Sequence, residues 1–295
     1  MARGVYRVTV TNSPRVALAL GGGGARGYAH IGVLREIESR GYEIVAVAGT
    51  SMGAVIGGLY CAGRLDPYTE WVTGLSQRDV IRLLDPSIKA PGLIKGEKVM
   101  SVVRDLLAGA RIEDLPIPFT AVATDLIAQR EVWFQDGPVE AALRASIAIP
   151  SAIAPVIVDG RLLADGGLLN TLPITPLTSA RADVVIAVSL AGPRMEPATV
   201  PTAKLSQRLP GSAARIPSGL RTVDVVEMAL ESMQRLITGY RMSGYPPDIL
   251  IEVPQDAAGT LDFHRAGDLI EIGQQRASEA LDAADDTRGP GARLT

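Results

Sequence analysis

Apolar positions along the chain change period several times, and the changes mark the elements. Val16-Ala17-Leu18-Ala19-Leu20 is an unbroken apolar run of strand length, as expected for a strand covered on both faces. Gly21 to Gly24 interrupt it. From Gly27 to Arg40 the apolar Ile31, Leu34 and Ile37 recur at helical spacing while Arg35, Glu36 and Glu38 fall elsewhere, and Gly41 sits where a helix ends. Ile44 to Ala48 reads as the next strand, so this stretch predicts a βαβ unit with parallel strands.

Ile44 to Gly63 is a twenty-residue run without a charge, long enough to span a bilayer. Its five glycines and the break at Gly49-Thr50 favour a strand, a sharp turn and a buried helix instead. Helices follow from Asp66-Pro67 and over Glu97 to Leu107, and strands over Phe119 to Thr124 and Arg130 to Phe134. Pro138 suits a first helical position, with helix to about Ala148. Val156 to Val158 and Arg161 to Ala164 flank Asp159-Gly160, a dipeptide that supplies the positive φ values of a type I′ hairpin turn. Val184 to Ser189 and Ile249 to Val253 are further buried strands, and helices are predicted over Val223 to Ile237 and about Ala266 to Ala284. This alternation predicts a three-layer α/β/α fold around a mostly parallel central sheet.

The domain plan is an N-terminal extension or edge strand over residues 1–14, a single domain over 15–284, and a disordered polar tail over 285–295. Residues 191–218 depart from any period and contain five prolines, with Leu205, Leu209 and Ile216 among an excess of basic residues. A mobile surface loop is the plainer reading of that stretch; a lid or a membrane-surface contact is the functional one.

Composition narrows the class. With 47% hydrophobic and 21% charged residues in 295, the chain can bury a large core and is not intrinsically disordered. A net charge of −3 gives no basic footprint for nucleic acid. Cys61 stands alone, which excludes a disulfide scaffold and fits a reducing compartment. The first fourteen residues lack the apolar core of a signal peptide, so a cytoplasmic protein is expected, peripheral at most to a membrane. Two isolated histidines and scattered carboxylates offer no metal-ligand spacing, and no metal or other cofactor is called for.

Three motifs carry candidate chemistry. Gly49-Thr50-Ser51-Met52-Gly53 matches G-x-S-x-G between a predicted strand and a small-residue helix, the setting of a nucleophile elbow; a helix-capping role for Ser51 fits the pentapeptide about as well. Gly22-Gly23-Gly24-Ala25-Arg26-Gly27 also matches the dinucleotide-binding G-x-G-x-x-G. That reading wants an acidic residue at the end of the second strand, where Gly49-Thr50-Ser51 stands instead, and a phosphate-binding loop would need a Lys-Ser or Lys-Thr that is absent. The remaining use for the glycine run is to offer backbone N–H groups to an oxyanion beside Ser51, if both parallel strands end in glycine turns at one sheet edge. Asp165-Gly166-Gly167 follows the hairpin. His30 reads as a structural histidine of the first helix, whereas Ser51, Asp165 and His264 follow the chain order of an α/β-hydrolase triad.

Together these motifs resemble the patatin-like phospholipase family over roughly Val16 to Leu190. The stretches Gly27 to Leu34 and Arg144-Ala145-Ser146-Ile147-Ala148-Ile149-Pro150 are similar to its bacterial members and to the catalytic domain of neuropathy target esterase; Asp262 to Arg265 and Ile272-Gly273 are similar more loosely. The resemblance implies a serine hydrolase of lipid acyl esters, phospholipase or lysophospholipase in type, with a Ser-Asp dyad. Ser51 would be the nucleophile and Asp165 the general base, with N–H donors from Gly22, Gly23, Gly24, Ala25 and Met52. Arg26, Gly27, Gly49, Gly53, Gly166 and Gly167 would support the motifs, and His264 would be non-catalytic. The alternatives are an esterase or thioesterase with a Ser51-Asp165-His264 triad and a non-hydrolytic dinucleotide-binding protein.

Overall fold

A computed structural model describes residues 13–84, 97–150, 153–195 and 222–288. The expected βαβ start is present: β1 (Arg15–Leu20), α1 (Ala29–Ser39) and β2 (Glu43–Thr50), with a 3-10 turn over Gly24–Tyr28 between the first strand and its helix. The uncharged stretch after it divides into β2 and the buried helix α2 (Met52–Cys61), as its glycines predict. Three helices follow, α3 (Leu65–Thr73), α4 (Gln77–Leu84) and α5 (Glu97–Leu107). Next come β3 (Phe119–Asp125), β4 (Arg130–Phe134), α6 (Val139–Ser146), and the hairpin β5 (Val156–Val158) and β6 (Arg161–Asp165). Asp159 and Gly160 take φ of 49° and 73°, the left-handed pair that the turn requires. The described chain closes with β7 (Val184–Gly192), α7 (Thr222–Gly244), β8 (Ile249–Pro254) and α8 (Ala266–Arg288).

The sheet among the described residues runs β5-β6-β3-β2-β1-β7-β8, with β4 also on β3. From β3 through β8 the pairings are parallel; β4, β5 and β6 add an antiparallel side. One face packs Leu18, Leu20, Val47 and Ile186 against α1, α2 and α8, and the other packs Ala17, Ala19, Ala46 and Ala48 under Leu172, Ile174 and Leu177. The three-layer expectation holds.

Register explains how distant segments meet. β4 occupies one edge of β3 over Ala121–Asp125, so β2 and β6 share the other edge. There Thr50 pairs with Val122 and Asp165 pairs with the next residue, Ala123. Because β2 is parallel to β3 and β6 antiparallel, the two strands approach end to end. Ser51 and Asp165 face each other across that junction.

Several boundaries differ from the sequence reading. α7 continues past Ile237 and through Gly239 to Gly244, where Pro246-Pro247 ends it, because Gly239 costs the helix propensity without stopping it. α8 extends through Asp285 to Arg288, so the stretch expected as a polar tail begins as helix. Pro138 precedes α6 rather than opening it, with an extended ψ of 125°. Of the loop or lid expected over residues 191–218, Ala191 and Gly192 instead end β7, because the strand continues its pairing with β8 to Gly192; residues 196–218, the extension over residues 1–12 and the tail beyond 288 lie outside the described residues.

Candidate active site

Ser51 stands between β2 and α2 with φ 55° and ψ −126°, a conformation that L residues avoid and that costs of order 1–3 kcal/mol. Local sequence permits it. A Cβ on Gly53 would fall inside the contact radius of the Leu20 carbonyl oxygen, and one on Gly49 would meet the Gly53 carbonyl, so both positions must be glycine for the turn to close. The backbone is then clamped from both sides. The Ser51 N–H donates to Ser146 Oγ at 2.8 Å, and that hydroxyl donates to the Val122 carbonyl at 2.7 Å. Thr50 Oγ1 donates to the Asn170 carbonyl at 2.8 Å.

Ser51 Oγ donates to Asp165 Oδ2 at 2.6 Å, and both residues are buried. The other carboxylate oxygen accepts the Gly167 N–H at 2.7 Å, while the Asp165 carbonyl accepts Thr124 Oγ1 at 3.0 Å. Burial disfavours the carboxylate and raises its pKa from 3.8 to about 6, against the opposing pull of the Ser51 hydroxyl and the Gly167 N–H. The result is an aspartate more basic than usual, in direct contact with a serine hydroxyl.

The first glycine turn lies against this pair. A Cβ at Gly22 would stand 3.2 Å from Ser51 Cβ. Five N–H donors were expected at the cradle, and two of them are already used: Gly22 N–H donates to the Thr171 carbonyl and Ala25 N–H to the Thr260 carbonyl, each at 2.9 Å. Among the described residues no acceptor takes the N–H of Gly23, Gly24 or Met52. Met52 is the first residue of α2, where helix geometry leaves N–H groups unpaired and the dipole favours negative charge. With its loop pressed on Ser51 and two amides spent, the turn does not present the open cradle that a dinucleotide needs.

Arg26 supports the turn. Its Nε donates to the Gly23 carbonyl at 3.2 Å and its Nη1 to the Gln255 carbonyl at 2.7 Å. His30 is fully buried, donates from Nε2 to the Gly21 carbonyl at 2.8 Å, and stays neutral because burial lowers its pKa to about 4. His264 lies in the 3-10 turn Phe263–Arg265 before α8; Ser51 and Asp165 hydrogen-bond each other with no imidazole between them.

A cavity opens from Ser51 and Met52 between α2, α3, α5 and the 260–263 turn. It has about 900 Å³ of unfilled space, part of it open to solvent, and its walls include Tyr28, Val55, Tyr68, Trp71, Met100 and Phe263. Sequence reasoning missed this cavity and the Ser146 clamp. Ser146 lies in the Arg144 to Pro150 stretch that carries the family resemblance, but nothing local in that stretch assigns its hydroxyl to the Ser51 N–H.

A family model described as patatin-like phospholipase matches residues 18–178. The chain is 42% identical to the uncharacterized NTE family protein Rv1063c of Mycobacterium tuberculosis, covering 96% of this chain and 95% of that protein. It is 34% identical to patatin-like phospholipase domain-containing protein 7 of Mus musculus over 59% of this chain and 13% of the mouse protein. Among solved structures, VipD from Legionella pneumophila aligns over 92% of this chain and 67% of its own with a TM-score of 0.48 and 13% identity.

Proposed function

The chain belongs to the patatin-like phospholipase family, and from that premise we propose that it hydrolyses lipid acyl esters, phospholipid or lysophospholipid in class, through Ser51 and Asp165. The observation that carries the proposal is the 2.6 Å contact of Ser51 Oγ with a buried aspartate of raised pKa, beside three backbone N–H groups that no acceptor takes among the described residues.

Asp165 takes the hydroxyl proton as Ser51 Oγ attacks the ester carbonyl. The tetrahedral oxyanion is held by the N–H groups of Gly23, Gly24 and Met52, each worth about 3 kcal/mol in such a role. Collapse breaks the bond to the leaving alcohol, which takes the proton from Asp165 and departs, leaving Ser51 acylated. Asp165 then removes a proton from water, the hydroxide attacks the acyl carbon, and the second collapse returns a proton to Ser51 Oγ and frees the fatty acid. An aspartate is a weak base for a hydroxyl, so its desolvation and the preformed donors must carry much of the barrier reduction.

The apolar cavity at Ser51 suits the acyl chain, since its walls offer aliphatic and aromatic contact along their length. A fluorophosphonate probe should label wild type at Ser51 and leave Ser51→Ala unlabelled, with phosphatidylcholine and lysophosphatidylcholine hydrolysis lost in the same variant. Undiminished hydrolysis by Ser51→Ala would refute the proposal.

A further inference from the structure

Gly21 to Gly24 carry no side chains to hold them, and a free glycine run would let its N–H groups point in many directions. The turn is fixed from outside instead. The peptide unit between Gly21 and Gly22 is held at both ends: its carbonyl accepts His30 Nε2 at 2.8 Å and its N–H donates to the Thr171 carbonyl at 2.9 Å. Further along, the Gly23 carbonyl accepts Arg26 Nε and the Ala25 N–H donates to the Thr260 carbonyl. The N–H groups of Gly23 and Gly24, assigned above to the oxyanion, lie between these anchored points. Thr171 and Thr260 act through their backbone; His30 and Arg26 act through their side chains.

His30 is the second residue of α1, and its ring is fully buried. A carbonyl can only accept, so the single N–H of the neutral ring sits on Nε2 and is spent on Gly21. Nδ1 is left as a bare acceptor that no donor reaches among the described residues. A bare buried acceptor costs stability, so a residue present only to fill the core would be better served by leucine. What the imidazole adds is its bond to Gly21. That carbonyl also lies against the elbow, since a Cβ on Gly53 would come within 2.6 Å of its oxygen. Without a donor the oxygen would be left unpaired beside the start of α2. The Gly21–Gly22 unit would then be free to rotate toward another donor, carrying the Gly23 N–H with it.

We propose that His30 is a positioning residue for the oxyanion donors: its bond to Gly21 sets the plane from which the Gly23 and Gly24 N–H groups reach the developing charge. The inference rests on the enzymatic reading above, and it departs from the structural role that the sequence suggested for this histidine. His30 acts through the peptide units of the turn and not on the substrate. Because the oxyanion forms only after attack, misaligned donors weaken the transition state and leave substrate binding, which the apolar cavity supplies, nearly unchanged.

The test compares the full chain as wild type, His30→Leu, His30→Asn and His30→Gln, each checked for folding by circular dichroism and urea unfolding. The glutamine amide nitrogen stands as many bonds from Cβ as Nε2 does and can donate to Gly21; the asparagine nitrogen falls one bond short. With p-nitrophenyl butyrate, the leucine and asparagine variants should lose about tenfold or more in kcat, short of the roughly 100-fold or more that outright loss of one donor costs. KM should stay nearly constant, and glutamine should recover most of the loss. The discriminating readout is an alkyl trifluoromethyl ketone: Ser51 Oγ adds to its carbonyl, the hydroxyl proton passes to Asp165, and the ketone oxygen becomes the bound oxyanion. Its affinity should fall across the variants in step with kcat/KM, while that of the matching alkyl methyl ether, which forms no adduct, stays the same. A stability loss alone would move neither affinity in the folded protein. Unchanged kcat and ketone affinity in folded His30→Leu would overturn the proposal, as would equal loss of ketone and ether affinity, or a His30→Gln that behaves like His30→Leu. If the leucine variant does not fold, the asparagine and glutamine variants carry the comparison; failure of both leucine and asparagine variants to fold would assign the bond to stability and overturn the proposal. Wild type that neither hydrolyses the ester nor binds the ketone would sink the enzymatic reading and this proposal with it, whereas full activity and ketone binding in every variant would sink the proposal alone.

Discussion

Replacing Asp165 by asparagine should abolish turnover and stabilise the fold, and both effects follow from one cause. The folded protein raises this carboxyl from 3.8 to about 6 by burial. A group whose folded pKa is raised contributes stability that is fully present below its unfolded pKa and is lost as pH rises through the folded one. Asp165 therefore leaves stability untouched near pH 3.8 and lowers it progressively to about pH 6. The displacement of about 2 pH units corresponds to about 3 kcal/mol at pH 7. The asparagine side chain would keep an oxygen for the Gly167 N–H or for Ser51 Oγ without a charge to desolvate, so the variant recovers most of that amount. Urea unfolding of both proteins between pH 4 and 8 measures the difference. His30 titrates in the opposite sense, stabilising above pH 6.5 and losing that stability toward pH 4, but it is common to both proteins and cancels. On the kinetic side, kcat/KM of wild type for a soluble ester should fall about tenfold per pH unit below about 6, as the base becomes protonated. An asparagine variant less stable than wild type at pH 7, or one retaining a tenth of wild-type activity, would refute the reasoning.

Three further outcomes follow from the same geometry. Ser146→Ala leaves the Ser51 N–H buried without an acceptor, so unfolding free energy should drop by about 1–3 kcal/mol and kcat should fall with KM little changed; Ser146→Thr, which retains the hydroxyl, should recover part of both, and unchanged kcat in the alanine variant would remove Ser146 from the positioning role. His264→Ala should alter ester hydrolysis less than twofold, whereas a loss comparable to that of Asp165→Asn would restore the triad. Val55→Phe narrows the cavity beside Ser51, so activity should shift from long-chain toward butyryl esters, readable from the ratio of the two rates; an unchanged ratio would place the acyl chain elsewhere.

Much of this protein can be read locally. The uninterrupted apolar run of β1, the glycine-punctuated stretch that becomes β2 and α2, and the Asp159-Gly160 turn each encode their conformation in consecutive residues, because period and φ preference are local properties. The G-x-S-x-G spacing likewise permits the elbow, since Gly49 and Gly53 are the positions where a side chain would collide with backbone.

Other features depend on residues far apart in the chain. Nothing near Asp165 tells that β6 meets the end of β2 along one edge of β3, yet that register brings together side chains 114 residues apart. Nothing in Gly22 to Ala25 tells which amides are spent; the carbonyls of Thr171 and Thr260, both far away in the chain, decide it. Ser146 acquires its purpose only where α6 crosses Val122, and the apolar stripe of α7 reads in sequence as an ordinary core face until the packing turns it outward. Short-range order follows from each residue's own sterics and period, whereas the meeting of Ser51 with Asp165 is set by pairings between strands, which only the assembled sheet specifies.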